Sequence, residues 1–326
     1  MTISTVFLSA FLILLMGLRP FTVEFGDTAM YAHYYNTIEI DPSIDFSREW
    51  IWDYLMLICQ SIGLNVSDFF LVVELFYIGL MIAACWKLMR NNMWVAVLFC
   101  FASFSFYSYG INGIRNGLAC SIVMLSVAML SGDYIEKIVS LVLIIIAYGI
   151  HHSTGLPSLC ALISLYVIKE PKHALAFWGM SIIISLIAGN VVGDFFAGLG
   201  FDERSDYFED VSESSIANQF SSTGFRFDFL LYSAMPVLMA WYISVKRNFK
   251  DVTYNIIANT YILANAFWIM VIRSTFSNRF AYLSWFLYPL VIAYPLIRMN
   301  IWEDQDKKAA LILLAYAGFT LFMHLR

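Results

Sequence analysis

The chain has 326 residues, of which 60% are hydrophobic and 13% charged, and its formal net charge is −5. A soluble domain carries about 25% charged residues, so this composition excludes an ordinary water-soluble globule. The negative balance argues against a nucleic-acid partner. Bilayer hydrocarbon requires roughly 20 apolar residues per spanning helix, and apolar runs occur at 72–86, 94–106, 138–148, 175–192 and 309–322. Backbone groups in lipid need internal partners, so these runs read as helices, and the alternation of a membrane barrel is absent. The expected fold class is an all-α polytopic integral membrane protein, with a single membrane domain over 1–326.

The first expected span is 3–18. It lacks a basic leading region and an A-x-A cleavage site, so it reads as a retained span and not as a signal peptide. A long outer loop follows, about 19–68, with Arg19, Glu24, Asp27, Glu39, Asp41, Asp45 and Glu49. Its Gly26-Asp27-Thr28 turn leads into a helix and puts Asp27 near an N-cap. Asp27 then either caps that helix or presents its carboxylate at the outer surface beside Arg19. Residues 50–64 are apolar enough to look like a span, but the segment is short and carries Trp50, Trp52, Asp53 and Gln60. Counted as a span it would invert every later loop, so an amphipathic helix lying on the outer interface is the better reading.

The remaining spans fall at 69–87, 93–109, 113–130, 138–150, 154–168, 175–197, 227–245, 254–272, 280–297 and 309–323, about eleven in all with the first. Cytoplasmic loops collect basic residues, and 87–92, 133–137, 169–173, 246–250 and 298–308 fit that side. All eight lysines then face inward, whereas Arg19, Arg48, Arg115, Arg204, Arg226, Arg273, Arg279 and Arg326 lie outward or at outer helix ends. Arginine holds phosphate and carboxylate bidentately and keeps its charge when partly buried. The plainer alternative, snorkelling to headgroups, suits Arg48, Arg204 and Arg326.

Polar constellations recur at the outer helix ends. After Gly110-Ile111-Asn112-Gly113, Arg115 opens a span, where a charge is costly unless it faces protein or water. His151-His152-Ser153-Thr154 joins two spans. Neighbouring histidines point in different directions and no nearby acid completes a set, so proton transfer or hydrogen bonding is expected there and not a metal. A second acidic outer loop, 198–226, ends at Arg226-Phe227-Asp228, where Arg226 either meets a ligand or pairs with Asp228. Arg273 and Arg279 frame Ser274, Ser277 and Asn278 like an anion site. The five cysteines read as small buried residues. Neither a phosphate-binding loop nor a nucleophile elbow is present, and no cofactor is expected.

In these residues the chain resembles the EpsG family of bacterial Wzy-type polysaccharide polymerases. The likeness rests on Arg19, on Gly26-Asp27-Thr28 with Tyr31 (here Gly directly precedes Asp), on Arg115-Asn116-Gly117-Leu118-Ala119, and on His151-His152-Ser153-Thr154. The Phe225-Arg226-Phe227-Asp228 opening of a later span adds to it. The resemblance implies a glycosyltransferase of O-antigen polymerase type in the bacterial inner membrane, active on the periplasmic face. It would join undecaprenyl-diphosphate-linked oligosaccharide repeat units, with lipid diphosphate as leaving group and a chain-length regulator as a further partner. A GT-C-like architecture with interfacial helices in the first outer loop is implied as well. His151, Asp27 and Arg115 are then the expected catalytic residues, and Arg19, Arg226, Arg273 and Arg279 the expected substrate-binding residues. Alternatives are an O-antigen ligase or another GT-C transferase of lipid-linked sugars. A polysaccharide transporter fits less well, because no internal repeat is evident and the charges sit at the outer face.

Overall fold

The computed structural model describes residues 2–39, 46–197, 225–273 and 277–325. Asp41, Asp45, the second outer loop over 198–224 with Arg204, the residues 274–276 and Arg326 lie outside them. The described residues are helical throughout their regular structure, with no strand among them. This is an α-helical membrane protein. Among the described residues four stretches are long and apolar enough to cross a bilayer: Val66–Phe101, Pro171–Gly189, Phe227–Lys246 and Arg279–Arg298.

Contacts divide the chain into two compact units, residues 1–155 with 293–326 and residues 156–292. The first unit opens with α1 (Ile3–Gly17), α2 (Thr28–Thr37), α3 (Trp50–Ser61) and α4 (Val66–Met89). It continues through α5 (Met93–Phe101), α6 (Phe104–Ile111), α7 (Ile114–Met129) and α8 (Tyr134–Ile150). Several helix starts follow their capping residues. Asn65 and Asp68 form a capping box on α4, and Asp133 accepts from the Glu136 N–H at the start of α8. The expected span 93–109 is broken, because the backbone leaves the helix at Ser103 (φ −77°, ψ 143°) and α6 starts anew.

Helix α4 packs on α1 and α7, and α7 packs on α8. Apolar side chains such as Phe69, Phe70 and Ile78 on α4 and Ile114 on α7 are buried, and the Ser126 and Ser140 hydroxyls meet at 2.7 Å between α7 and α8. Polar contacts of this kind hold helices together where lipid supplies no hydrophobic drive. At one end of this bundle Lys87 pairs with Glu136. Two loops read as lying on the same side therefore do share an end.

Helix α3 has 12 residues, about 18 Å, well short of the ~30 Å of hydrocarbon. It buries Trp52, Met56 and Cys59 and leaves Ile58, with Ile62 just past its end, exposed. Its first turn rests on α8, where Gly149 makes the approach possible: a Cβ there would stand 2.6 Å from Ile51 Cδ1.

The second unit holds α9 (Gly155–Tyr166), α10 (Pro171–Ala197, kinked at Ala188), α11 (Phe227–Trp241, continued as a π-turn to Lys246), α12 (Val252–Met270) and α13 (Ser277–Trp285). Helix α12 packs on α10, α11 and α13. Its Asn265 accepts from Trp178 at 2.8 Å and donates to Ser284 at 3.0 Å, while Tyr261 donates to the Ser233 carbonyl at 2.9 Å. Helix α14 (Tyr288–Arg298) runs from the second unit back into the first. There α15 (Gln305–Leu325) packs on α5 and α6, with Tyr316 stacked on Phe99 at 6.3 Å.

Candidate functional site

Glu49 precedes α3 and occupies its N-cap position, yet its side chain makes no cap bond. The carboxylate instead crosses to two other helix ends. One oxygen meets Nδ1 of His151, the residue that ends α8, and the other meets the guanidinium of Arg115 in the first turn of α7. Glu49 is 5% exposed. Arg115 and His151 keep 23% and 21% of their side chains exposed. A buried carboxylate is held only where partners compensate its lost hydration. Burial pushes the Glu49 carboxyl up, but the hydrogen bond and charge of His151 and the charges of Arg115 and His152 outweigh it and hold it below its ordinary value.

Local structure explains how the partners arrive. A cation in the first turn of a helix opposes the helix dipole, so Arg115 is poorly placed for α7 and well placed for Glu49. His151 sits where α8 ends, a position that favours a cation. Thr154 closes the turn, its hydroxyl donating to the His151 carbonyl at 2.7 Å. His152 faces elsewhere and stacks on Tyr148 with ring centres 4.6 Å apart. With Nδ1 engaged by Glu49, His151 has Nε2 as its remaining ring nitrogen.

One turn along α3, Asp53 accepts from the Tyr34 hydroxyl at 3.0 Å and lies 3.5 Å from Arg48, which also donates to that hydroxyl at 2.7 Å. Burial raises the Asp53 carboxyl despite these partners. This second cluster ties α2 to α3 beside the first.

The other expected residues are placed differently. Arg19 is 4% exposed and turned into the protein. It donates to Thr28 Oγ1 at 3.0 Å, the Met16 carbonyl at 2.5 Å and the Ile111 carbonyl at 3.0 Å, and lies 3.6 Å from Glu74 on α4. Its surroundings are those of a structural brace. Asp27 stands at the N-cap position of α2 without a side-chain cap bond, and its N–H donates to Asn112 Oδ1 at 2.8 Å. Gly26 makes that docking possible, since its φ is +61° and any side chain there would collide with Asn112. The first two sequence constellations are thus one joint.

In the second unit, Arg226 grips Asp228 through two bonds of 2.9 and 2.7 Å and lies 3.7 Å over the Phe229 ring, which is the pairing alternative. Arg273 is exposed and packs beside Gly189, and Arg279 lies on α13. Among the described residues no group of three or more His, Cys, Asp and Glu side chains could hold a metal.

The structure therefore brings Arg115 and His151 together, and it does so through a residue that sequence reasoning missed. Glu49 was one acid among several in its loop. Its only signal was position, directly before the helix that refused to be a span.

The EpsG family model matches residues 3–326, essentially the whole chain. No curated protein and no solved structure matches.

Proposed function

The chain belongs to the EpsG family, whose members are Wzy-like polymerases, and on that premise we propose that it joins undecaprenyl-diphosphate-linked oligosaccharide repeat units at the periplasmic face of a bacterial inner membrane. In this reading it is a single membrane domain of about eleven spans with GT-C-like architecture, and α3 lies flat on the outer interface. The observation that supports the site is the shared carboxylate: Glu49 fixes Arg115 and His151 together at the ends of α7 and α8.

The chemistry follows from that arrangement. A hydroxyl of the acceptor sugar attacks the anomeric carbon of the donor. His151 Nε2 takes the hydroxyl proton, while Glu49 on Nδ1 fixes the ring's tautomer and aim. The bond from the anomeric carbon to the diphosphate oxygen breaks, and its electron pair leaves with the lipid diphosphate. Negative charge grows on that leaving group, so the partly exposed Arg115 acts where charge develops. Arg226, Arg273 and Arg279 are the further diphosphate-binding groups of this reading. Asp27 stands in reserve as a base, and Arg19 supports the joint under it.

Arg115→Lys keeps a cation for Glu49 but loses the guanidinium fork. Cells carrying Arg115→Lys or His151→Gln should show lipopolysaccharide bearing a single repeat on a gel, with long chains lost. Loss of an O-antigen ligase would instead remove every O-antigen-bearing band and leave the lipid A-core alone. Normal long chains in both variants would sink the assignment.

A further inference from the structure

The far end of α3 frames a cleft of about 510 Å³ between the α3–α4 turn, the end of α2 and the segment after α1. Phe21, Tyr35, Asn36, Gln60, Asn65 and Ser67 line it, and none of its lining side chains is charged. It lies along the same helix as the Arg115–Glu49–His151 cluster. Eleven residues separate Glu49 from Gln60 (60 − 49), which on a helix is about 16 Å.

Part of its polar surface is used by the fold. The Tyr35 hydroxyl donates to the Leu64 carbonyl at 2.8 Å, the Gln60 amide donates to the Tyr35 carbonyl, and Asn65 Oδ1 accepts from the Asp68 N–H at 3.1 Å. What faces outward is the Phe21 ring, 40% exposed and braced against Phe70 at 5.4 Å. With it in the lining are the exposed Asn36 and Asn65 and the half-buried Ser67. This is an apolar ring face beside neutral donors and acceptors. A sugar matches it, with ring C–H groups on the aromatic face and hydroxyls paired to planar amides. A phosphate or carboxylate would find no cation among the lining side chains.

We propose that this cleft is a binding subsite for uncharged sugar residues of the oligosaccharide, a few residues away from the end at which the new bond forms. The proposal rests on the function given above. The diphosphate is held at the charged end of α3 and the glycan at its neutral end. Binding energy from these remote sugars then positions the reacting end and keeps the growing glycan on the enzyme between additions.

The test uses the full-length protein in lipid nanodiscs. The probe is the soluble oligosaccharide released by mild acid from the host's lipid-linked repeat unit. Phe21→Ala combined with Asn36→Ala should weaken its binding about tenfold, two lost contacts of ordinary strength. Polymer made from lipid-linked repeats should shift to shorter chains. Phe21→Tyr, which keeps the ring, should retain wild-type binding and so separates a lost contact from a lost fold. Unchanged oligosaccharide binding and chain length in the double variant would overturn the subsite. If the wild-type protein binds the oligosaccharide through this cleft yet joins no repeats, the function reading falls and the subsite stands.

Discussion

Glu49 pays for its burial only while Arg115 and His151 stay in place. Removing one member of a buried pair leaves an uncompensated group, at a cost of about 3–5 kcal/mol when all members are buried. Here the partners are about one-fifth exposed, so Glu49→Gln is expected to cost about 2–3 kcal/mol. Thermal unfolding in detergent, followed by tryptophan fluorescence, measures it. The pH dependence has a defined sign. The folded carboxyl titrates below its ordinary value of 4.5, so its contribution is fully present above that value. It is lost as pH falls through the lowered value, because protonation releases both partners. Wild-type protein should therefore destabilise in acid through this group, and Glu49→Gln should lack that part of the slope. Equal acid slopes in the two proteins would contradict the role.

Helix α3 places that carboxylate, and its seat on α8 depends on one missing side chain. Gly149→Val would push against Ile51 and the Trp50 ring, 3.2 Å from where a Cβ would stand, and so lift Glu49 away from His151. A shift near 1 Å at a catalytic group costs about 10²-fold in rate. Expression should persist while polymer formation falls by about that factor; wild-type rates from the valine variant would show that the seat is dispensable. At this scale much was legible in the sequence. Length and the polar residues Asp53 and Gln60 spoke against 50–64 as a span, and a 12-residue helix stands there; the apolar runs became helices, with 94–106 divided at Ser103. Polar residues at outer helix ends pointed to Arg115 and His151. The partner that joins them was not legible, because Glu49 lies 66 residues from Arg115 (115 − 49) and 102 from His151. Periodicity reports only which face of one helix is apolar. Nor did composition reveal that Arg19 is turned inward, since Thr28, Ile111 and Glu74 come from three other segments.

For the molecule as a whole, sidedness is the quantity to measure. The loops over 87–92 and 133–137 share one end of the first unit through Lys87 and Glu136, and Asn255 donates to the Lys169 carbonyl at 3.2 Å in the second. Basic residues at these ends predict a cytoplasmic location. The five native cysteines are all buried and should give little background. In intact cells a membrane-impermeant maleimide should label Ser47→Cys and spare Ser131→Cys until the membrane is opened. The reverse pattern would turn the topology, and the proposed site with it, to the other face.

Helix α15 gives the first unit a schedule. It packs on α5 and α6, yet it is made only after every helix of the second unit has been synthesised. The half of the protein that emerges first is therefore the half completed last. Until then, the sides of α5 and α6 that α15 covers must be sheltered by the insertion machinery or by lipid. An arrest of synthesis between residues 155 and 305 would leave the half that carries Glu49, Arg115 and His151 with those residues made but its wall open.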